Sequence, residues 1–148
     1  MDRRLFLAFG SAAALALAAA GFLFGRTRGP ENLTLAALSG DALANDPSML
    51  LVDIRRPEEW QQTGVIEGAL LVTYGDRDSF LSAVRPHLQE GQSIALICRT
   101  GNRTSRATRQ IADALDVPVI DVAGGMVRVL GEGYSPVAPT RAMGCTVC

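Results

Sequence analysis

The 148-residue chain has a single histidine, His87. That scarcity excludes the Ser-His-Asp and Cys-His arrangements of hydrolases, in which an imidazole is held beside the nucleophile. His87 follows Pro86 near the end of an expected helix, where a capping or solvent-facing role suits it better than catalysis. Charge of one sign is lacking too. The formal net charge is −1, so no basic surface points to nucleic acid as a partner. Internal repeats are absent, and low complexity is confined to the alanine-rich N-terminus.

Charge is wholly missing from Leu5 to Phe24. A helix apolar on every side is a poor fit for the core of so small a domain, so residues 1–24 read as a signal peptide or membrane anchor. The run of about 20 residues is long enough to cross a bilayer. Arg3-Arg4-Leu5-Phe6-Leu7 resembles a twin-arginine export motif, with Asp2 where serine or threonine is usual. Ala16-Leu17-Ala18 and Ala18-Ala19-Ala20 fit cleavage sites, whereas Gly21-Phe22-Leu23-Phe24 continues the apolar run. Cleaved signal and retained anchor both stay open. Either predicts an exported domain, periplasmic or anchored to a membrane and facing outward. Residues 25–32 read as a polar linker, residues 33–138 as one domain of ordinary size, and residues 139–148 as a flexible tail.

The body alternates strand and helix. Leu35 to Leu43 is expected to be helical and Met49 to Ile54 a buried strand. Pro57 suits a helix start, with Glu58 and Glu59 in a first turn where acids match the dipole. Ala69 to Val72 reads as a short strand, and Asp78 to Leu88 as an amphipathic helix with Phe80, Leu81, Val84 and Leu88 inward. Ser93 to Ile97 and Val117 to Val122 are apolar core strands, and Gly124-Gly125 opens a last short helix. This alternation predicts an α/β fold with a mainly parallel central sheet and helices on both faces. Ligand sites in such sheets lie at the carboxyl ends of the strands.

Cys98 falls at such an end. It follows the strand Ser93 to Ile97 and precedes a helix expected from Thr104 to Leu115, with Ala107, Ile111, Ala114 and Leu115 at helical spacing. Unpaired amides and the dipole at a helix N-terminus favour an anion, and the same field favours a thiolate over a thiol. Arg99 and Arg103 add positive charge, and Gly101 permits a tight turn. Arg103 closes the loop after four intervening residues. That is a small ring, sized for one terminal sulfur among amides, whereas a phosphate's three oxygens need a wider one. The alternative is a buried structural thiol. Arg106 and Arg109 extend the following helix as a solvated face that enriches anions near the mouth.

Cys98-Arg99-Thr100-Gly101-Asn102-Arg103 resembles the Cys-x-x-Gly-x-Arg active-site loop of the rhodanese family, single-domain sulfurtransferases. Asp53-Ile54-Arg55-Arg56-Pro57-Glu58-Glu59 is similar to the family's Asp-x-Arg-x-Pro-x-Glu segment. Gly64-Val65-Ile66-Glu67-Gly68-Ala69 is similar to its Gly-His-Ile-Pro-Gly-Ala, with Val65 for histidine and Glu67 for proline. Val122-Ala123-Gly124-Gly125 matches a late Leu-x-Gly-Gly turn, after which the usual tryptophan is absent and Leu130 or Tyr134 is expected in its space. The resemblance implies a rhodanese-like domain in which Cys98 is the nucleophile, takes sulfur from a thiosulfate-like anionic donor and passes it to a thiol or protein thiol. Arg99, Thr100, Gly101, Asn102 and Arg103 would bind the substrate. Asp53 and Arg55 would position neighbouring loops, Trp60 would pack on the core with its N–H satisfied at the surface, and no metal or organic cofactor is implied. Phosphatases and arsenate reductases share the fold with loops one residue longer. A non-catalytic persulfide- or anion-sensing module is a further alternative.

The ending Cys145-Thr146-Val147-Cys148 is foreign to that signature. Three readings stay open for it in an oxidising compartment: a simple disulfide, a redox partner of a Cys98 persulfide, or a soft-metal site. The tail is expected to leave the core.

Overall fold

The structure, a computed structural model, describes residues 30–148. The expected signal or anchor at residues 1–24 lies outside the described residues, as does most of the linker. Among the described residues no helix is long and apolar enough to cross a membrane.

Among the described residues five parallel strands form one sheet in the order β1-β5-β4-β2-β3. They are β1 (Leu33–Ala36), β2 (Met49–Asp53), β3 (Leu70–Leu71), β4 (Ser93–Ile97) and β5 (Val119–Val122). The helices are α1 (Gly40–Asn45), α2 (Pro57–Thr63), α3 (Arg77–Val84), α4 (Asn102–Ala112) and α5 (Gly125–Gly131). Short 3₁₀ turns follow at Arg85–His87 and Arg141–Met143. His87 is exposed on the first of these turns.

The continuous apolarity of β4 has a direct cause: both faces of the sheet are covered, so both sets of alternating side chains are buried. Ala95 and Ile97 join an apolar layer with Trp60, Ile66, Leu71 and Met126. Ile94 and Leu96 point to the opposite layer, with Phe80, Leu81, Val84 and Ile111. Each such large side chain stabilises the fold by about 1.5–3 kcal/mol. Register then aligns the strand ends. Asp53 pairs with Ile97, and Leu96 with Asp121, so the loops leaving β2, β4 and β5 converge at one end of the sheet.

The expected helix from Leu35 to Leu43 is instead a strand, a turn and a helix. Leu33–Ala36 pairs with β5 at the sheet edge, where Leu35 is 69% exposed. The helix starts only after Ser39, whose Oγ accepts the Ala42 N–H at 3.2 Å. Asn32, placed in the linker by sequence, is docked as well. Its side-chain amide donates to the carbonyls of Ala112, Leu115 and Val117 at 2.8–3.0 Å, closing the end of α4.

Two further details, at Trp60 and at the tail, depart from expectation. Trp60 is buried in the core, but its Nε1 has no hydrogen-bond partner among the described residues and does not reach the surface. Tyr134 packs its ring against Gly40, where a Cβ would collide with it, and its hydroxyl accepts the Glu67 N–H at 3.1 Å. The tail does not leave the core. Cys145 is fully buried in the layer of Trp60 and Leu71, because the turn at Arg141–Met143 folds the chain back over β3.

Candidate active site

Cys98 is the residue directly after β4, and its side chain is 1% exposed. Gly101 ends the loop at φ +95° and serves as N-cap of α4. This left-handed conformation is open to glycine at little cost and strained for other residues. It turns the Gly101 N–H onto Cys98 Sγ at 3.2 Å, while the Gly101 carbonyl accepts the Ser105 N–H at 2.9 Å and starts the helix.

The loop's carbonyls are held away from the sulfur. Cys98 O accepts the Met126 N–H at 2.8 Å, and Arg99 O accepts the Val127 N–H at 3.0 Å. These donors are unpaired amides of the first turn of α5, so one helix terminus satisfies two loop carbonyls. The approach requires Gly125: a Cβ there would lie 2.7 Å from the Arg99 carbonyl carbon. The Gly124-Gly125 turn is therefore part of the site's construction. Thr104 Oγ1 lies 3.8 Å from Cys98 Sγ and donates to the Gly101 carbonyl at 2.9 Å.

Residues predicted from sequence take different places. Arg99, Thr100 and Asn102 are exposed on the outer rim. Arg106 and Arg109 are exposed on α4, as expected. Arg103, expected to add free positive charge, is instead held by Glu59 through contacts of 2.7 and 2.6 Å. Of the two loop arginines, Arg99 is the one without an ion-pair partner among the described residues. The Arg103 hydrogen bonds draw the Glu59 carboxyl down to about 2, with its bond to the Arg56 N–H adding to the effect against some desolvation. Glu59 thus caps α2 and clamps the loop together. Sequence reasoning saw only its helix-dipole role, because its partner lies 44 residues away.

Asp53 and Arg55 form a buried pair at 2.7 Å. Arg55 also donates to Thr63 Oγ1 at 2.7 Å and to the Gly64 carbonyl at 2.8 Å, tying the end of β2 to the end of α2. A second buried acid escaped the sequence reading. Asp121 on β5 lies by a cavity of about 310 Å³ that also touches Gly101, Asn102 and Arg109. Its Oδ1 has no hydrogen-bond partner among the described residues, and burial raises its pKa against partial relief from Thr104 and Arg109. Cys145 and Cys148 are joined as a disulfide, with Cα atoms 5.5 Å apart. Among the described residues no group of three or more His, Cys, Asp or Glu is placed to hold a metal ion.

The site therefore has a buried cysteine sulfur facing a peptide N–H, with the first two carbonyls of the loop bound elsewhere. Such a cradle stabilises negative charge on sulfur.

The family model described as "Rhodanese-like domain" matches residues 37–135. Thiosulfate sulfurtransferase 16, chloroplastic, of Arabidopsis thaliana is 33% identical over 99 residues, which cover 62% of this chain and 78% of that protein. A rhodanese-related protein from Thermoplasma volcanium has a similar structure, with a TM-score of 0.54 and 26% identity, over 70% of this chain and 98% of that one. The polysulfide-sulfur transferase homodimer of Wolinella succinogenes shares the fold at a TM-score of 0.57 and 18% identity, over 90% and 96% of the two chains. So does a possible tyrosine phosphatase from Rhodopseudomonas palustris, at 0.57 and 21%, over 93% and 99%. The matched region spans both the Cys98 loop and the Gly124-Gly125 turn that shapes it, and the chain belongs to the rhodanese-like domain family.

Proposed function

We propose that this protein is a sulfurtransferase that carries sulfane sulfur as a Cys98 persulfide. The Cys98 thiolate attacks the outer sulfur of thiosulfate, the sulfur–sulfur bond of the donor breaks, and sulfite leaves with the electron pair. The persulfide anion then occupies the cradle, and a thiol or protein thiol takes the outer sulfur, restoring the Cys98 thiolate. Cyanide serves as the acceptor in an assay. Exposed Arg99 attracts the anionic donor to the rim.

The observation that carries this reading is the Gly101 N–H aimed at Cys98 Sγ at 3.2 Å, in a loop whose first two carbonyls are bound elsewhere. The named activity of the Arabidopsis relative supports the choice of thiosulfate. Steady-state turnover with thiosulfate and cyanide tests it. Cys98→Ser should abolish transfer with the fold intact, and mass spectrometry should find one added sulfur on Cys98. Retained activity in that variant would refute the assignment. Aryl-phosphate hydrolysis should be negligible beside sulfur transfer; efficient hydrolysis would favour a phosphatase, and failure to turn over any donor would favour a sensing module.

We further propose that residues 1–24 export the domain or anchor it in a membrane with the catalytic domain facing outward. The charge-free run from Leu5 to Phe24 after Arg3-Arg4 supports this. A reporter fused to the segment should leave the cytoplasm, and changing Arg3 and Arg4 to lysine should block export by the twin-arginine route. Cytoplasmic retention of the unaltered fusion would overturn this placement.

A further inference from the structure

The C-terminal disulfide stands on an element that also holds the Cys98 loop. Gln61 of α2 donates to the Val147 carbonyl at 3.2 Å and lies 3.8 Å from Cys148 Sγ. Glu59, two residues earlier on the same helix, grips Arg103 of the loop. On the inner side, Cys145 is buried in the same apolar layer as Met126, whose N–H holds the Cys98 carbonyl. The two tail sulfurs are unequally placed: Cys145 is buried, whereas Cys148, the last residue, is exposed. That asymmetry suits an attacking thiol outside and a resolving thiol within.

We propose that the reduced tail is a second reactive centre, a dithiol that discharges the Cys98 persulfide as hydrogen sulfide. It rests on the persulfide chemistry above and assigns its acceptor. The Cys148 thiolate attacks the outer sulfur of the Cys98 persulfide; the bond to Cys98 Sγ breaks, and Cys98 leaves as a thiolate. The Cys145 thiolate then attacks Cys148 Sγ, forms the disulfide seen in the structure and expels hydrosulfide. Two thiols are oxidised to one disulfide while one sulfane sulfur is reduced to sulfide, so atoms and electrons balance. An external dithiol reductant of the thiol–disulfide exchange class restores the tail.

The closed ring cannot make the transfer, and the open chain can. Residues two apart on a helix point to nearly opposite sides, so the docked tail and the clamped loop are separated by α2, a body about 10–12 Å across. With the disulfide reduced, the four residues beyond a hinge at Gly144 extend to about 14 Å, longer than that helix is broad. Gly144 already adopts φ +111°, a conformation open to glycine.

The test is a single turnover with the purified full chain. Tail-reduced protein, freed of reductant and given one equivalent of thiosulfate, should release one sulfide per chain, regain the Cys145–Cys148 disulfide and leave Cys98 unmodified. Oxidised protein should retain the sulfur on Cys98 and release none. Cys148→Ser should hold the sulfur on Cys98, whereas Cys145→Ser should let it move to Cys148 and stop there. The release rate should not depend on protein concentration. Equal sulfide release by reduced wild type and reduced Cys148→Ser, or a rate proportional to protein concentration, would overturn the relay while leaving the sulfurtransferase reading intact. Failure of Cys98 to gain sulfur in the oxidised protein would instead overturn that underlying reading, and this step with it.

Discussion

Two carboxylate–guanidinium pairs meet the same helix with opposite surroundings. Asp53–Arg55 is sealed at the end of β2, with side-chain exposures of 0% and 1%, and the guanidinium's other hydrogen bonds go to α2 and the residue that ends it. Glu59–Arg103 spans the mouth between α2 and the Cys98 loop, with exposures of 21% and 38%. A buried pair is costly to form and costlier to break, because the survivor is a charge without a partner or water. A half-exposed pair contributes little to stability, since water and salt compete with it. The first pair builds the platform; the second sets the charge and position of the Cys98 loop.

The largest expected effect breaks the first pair. Arg55→Met leaves Asp53 buried and unpaired and should cost about 3–5 kcal/mol, measured by urea denaturation. A loss below that of an ordinary surface substitution would put the two pairs in one class. Arg55→Lys sharpens the same point. It keeps the charge but not the planar fork that reaches Asp53, Thr63 and Gly64 together, so it should cost about 1–3 kcal/mol.

Glu59→Gln acts on the second pair. Stability should change by about 1 kcal/mol or less. Catalysis should respond more. Freeing the Arg103 charge at the mouth should lower the thiosulfate KM about three- to sevenfold at low ionic strength, and added salt should erase the difference. An unchanged KM at every salt concentration would mean that Arg103 does not face the donor.

The smallest effect is the pH signature of that pair. The Glu59 carboxyl is drawn from its ordinary 4.5 to about 2. A carboxylate with a depressed folded-state pKa stabilises the fold fully above its unfolded value, and that contribution is lost as pH falls through the folded one. The stability difference between wild type and Glu59→Gln should therefore be flat from neutral pH to about 4.5 and vanish towards pH 2. A difference that disappears above pH 5 would place the stabilisation on another group.

The Cys98 loop was legible because its parts are contiguous: an apolar strand, a cysteine, a glycine and a helix. Asp53 and Arg55 were readable as a structural pair because a turn of one intervening residue brings them together. Glu59 as the loop's clamp was not, since nothing within α2 signals a partner 44 residues on. Leu35 and Ala36 of the edge strand read as helix because their pairing partner, β5, lies 86 positions later and exposed Leu35 offers no clean alternation. Trp60 shows the same limit, for its burial followed from hydrophobicity, whereas its N–H, without a partner among the described residues, depends on neighbours from other segments.

Local patterns by themselves determined the alternation of strand and helix, the placement of Cys98 at a helix N-terminus, and the need for glycine at position 101. These follow from backbone geometry and burial within a few residues. Only the tertiary structure decided that Arg103 is neutralised by Glu59, that α5 turns the loop's carbonyls away from the sulfur, and that the tail folds back to bury Cys145 and present Cys148. Each of these is a contact between groups far apart in the chain. Such contacts form because the parallel sheet aligns its strand ends, and no periodicity in the sequence records which loops will meet there.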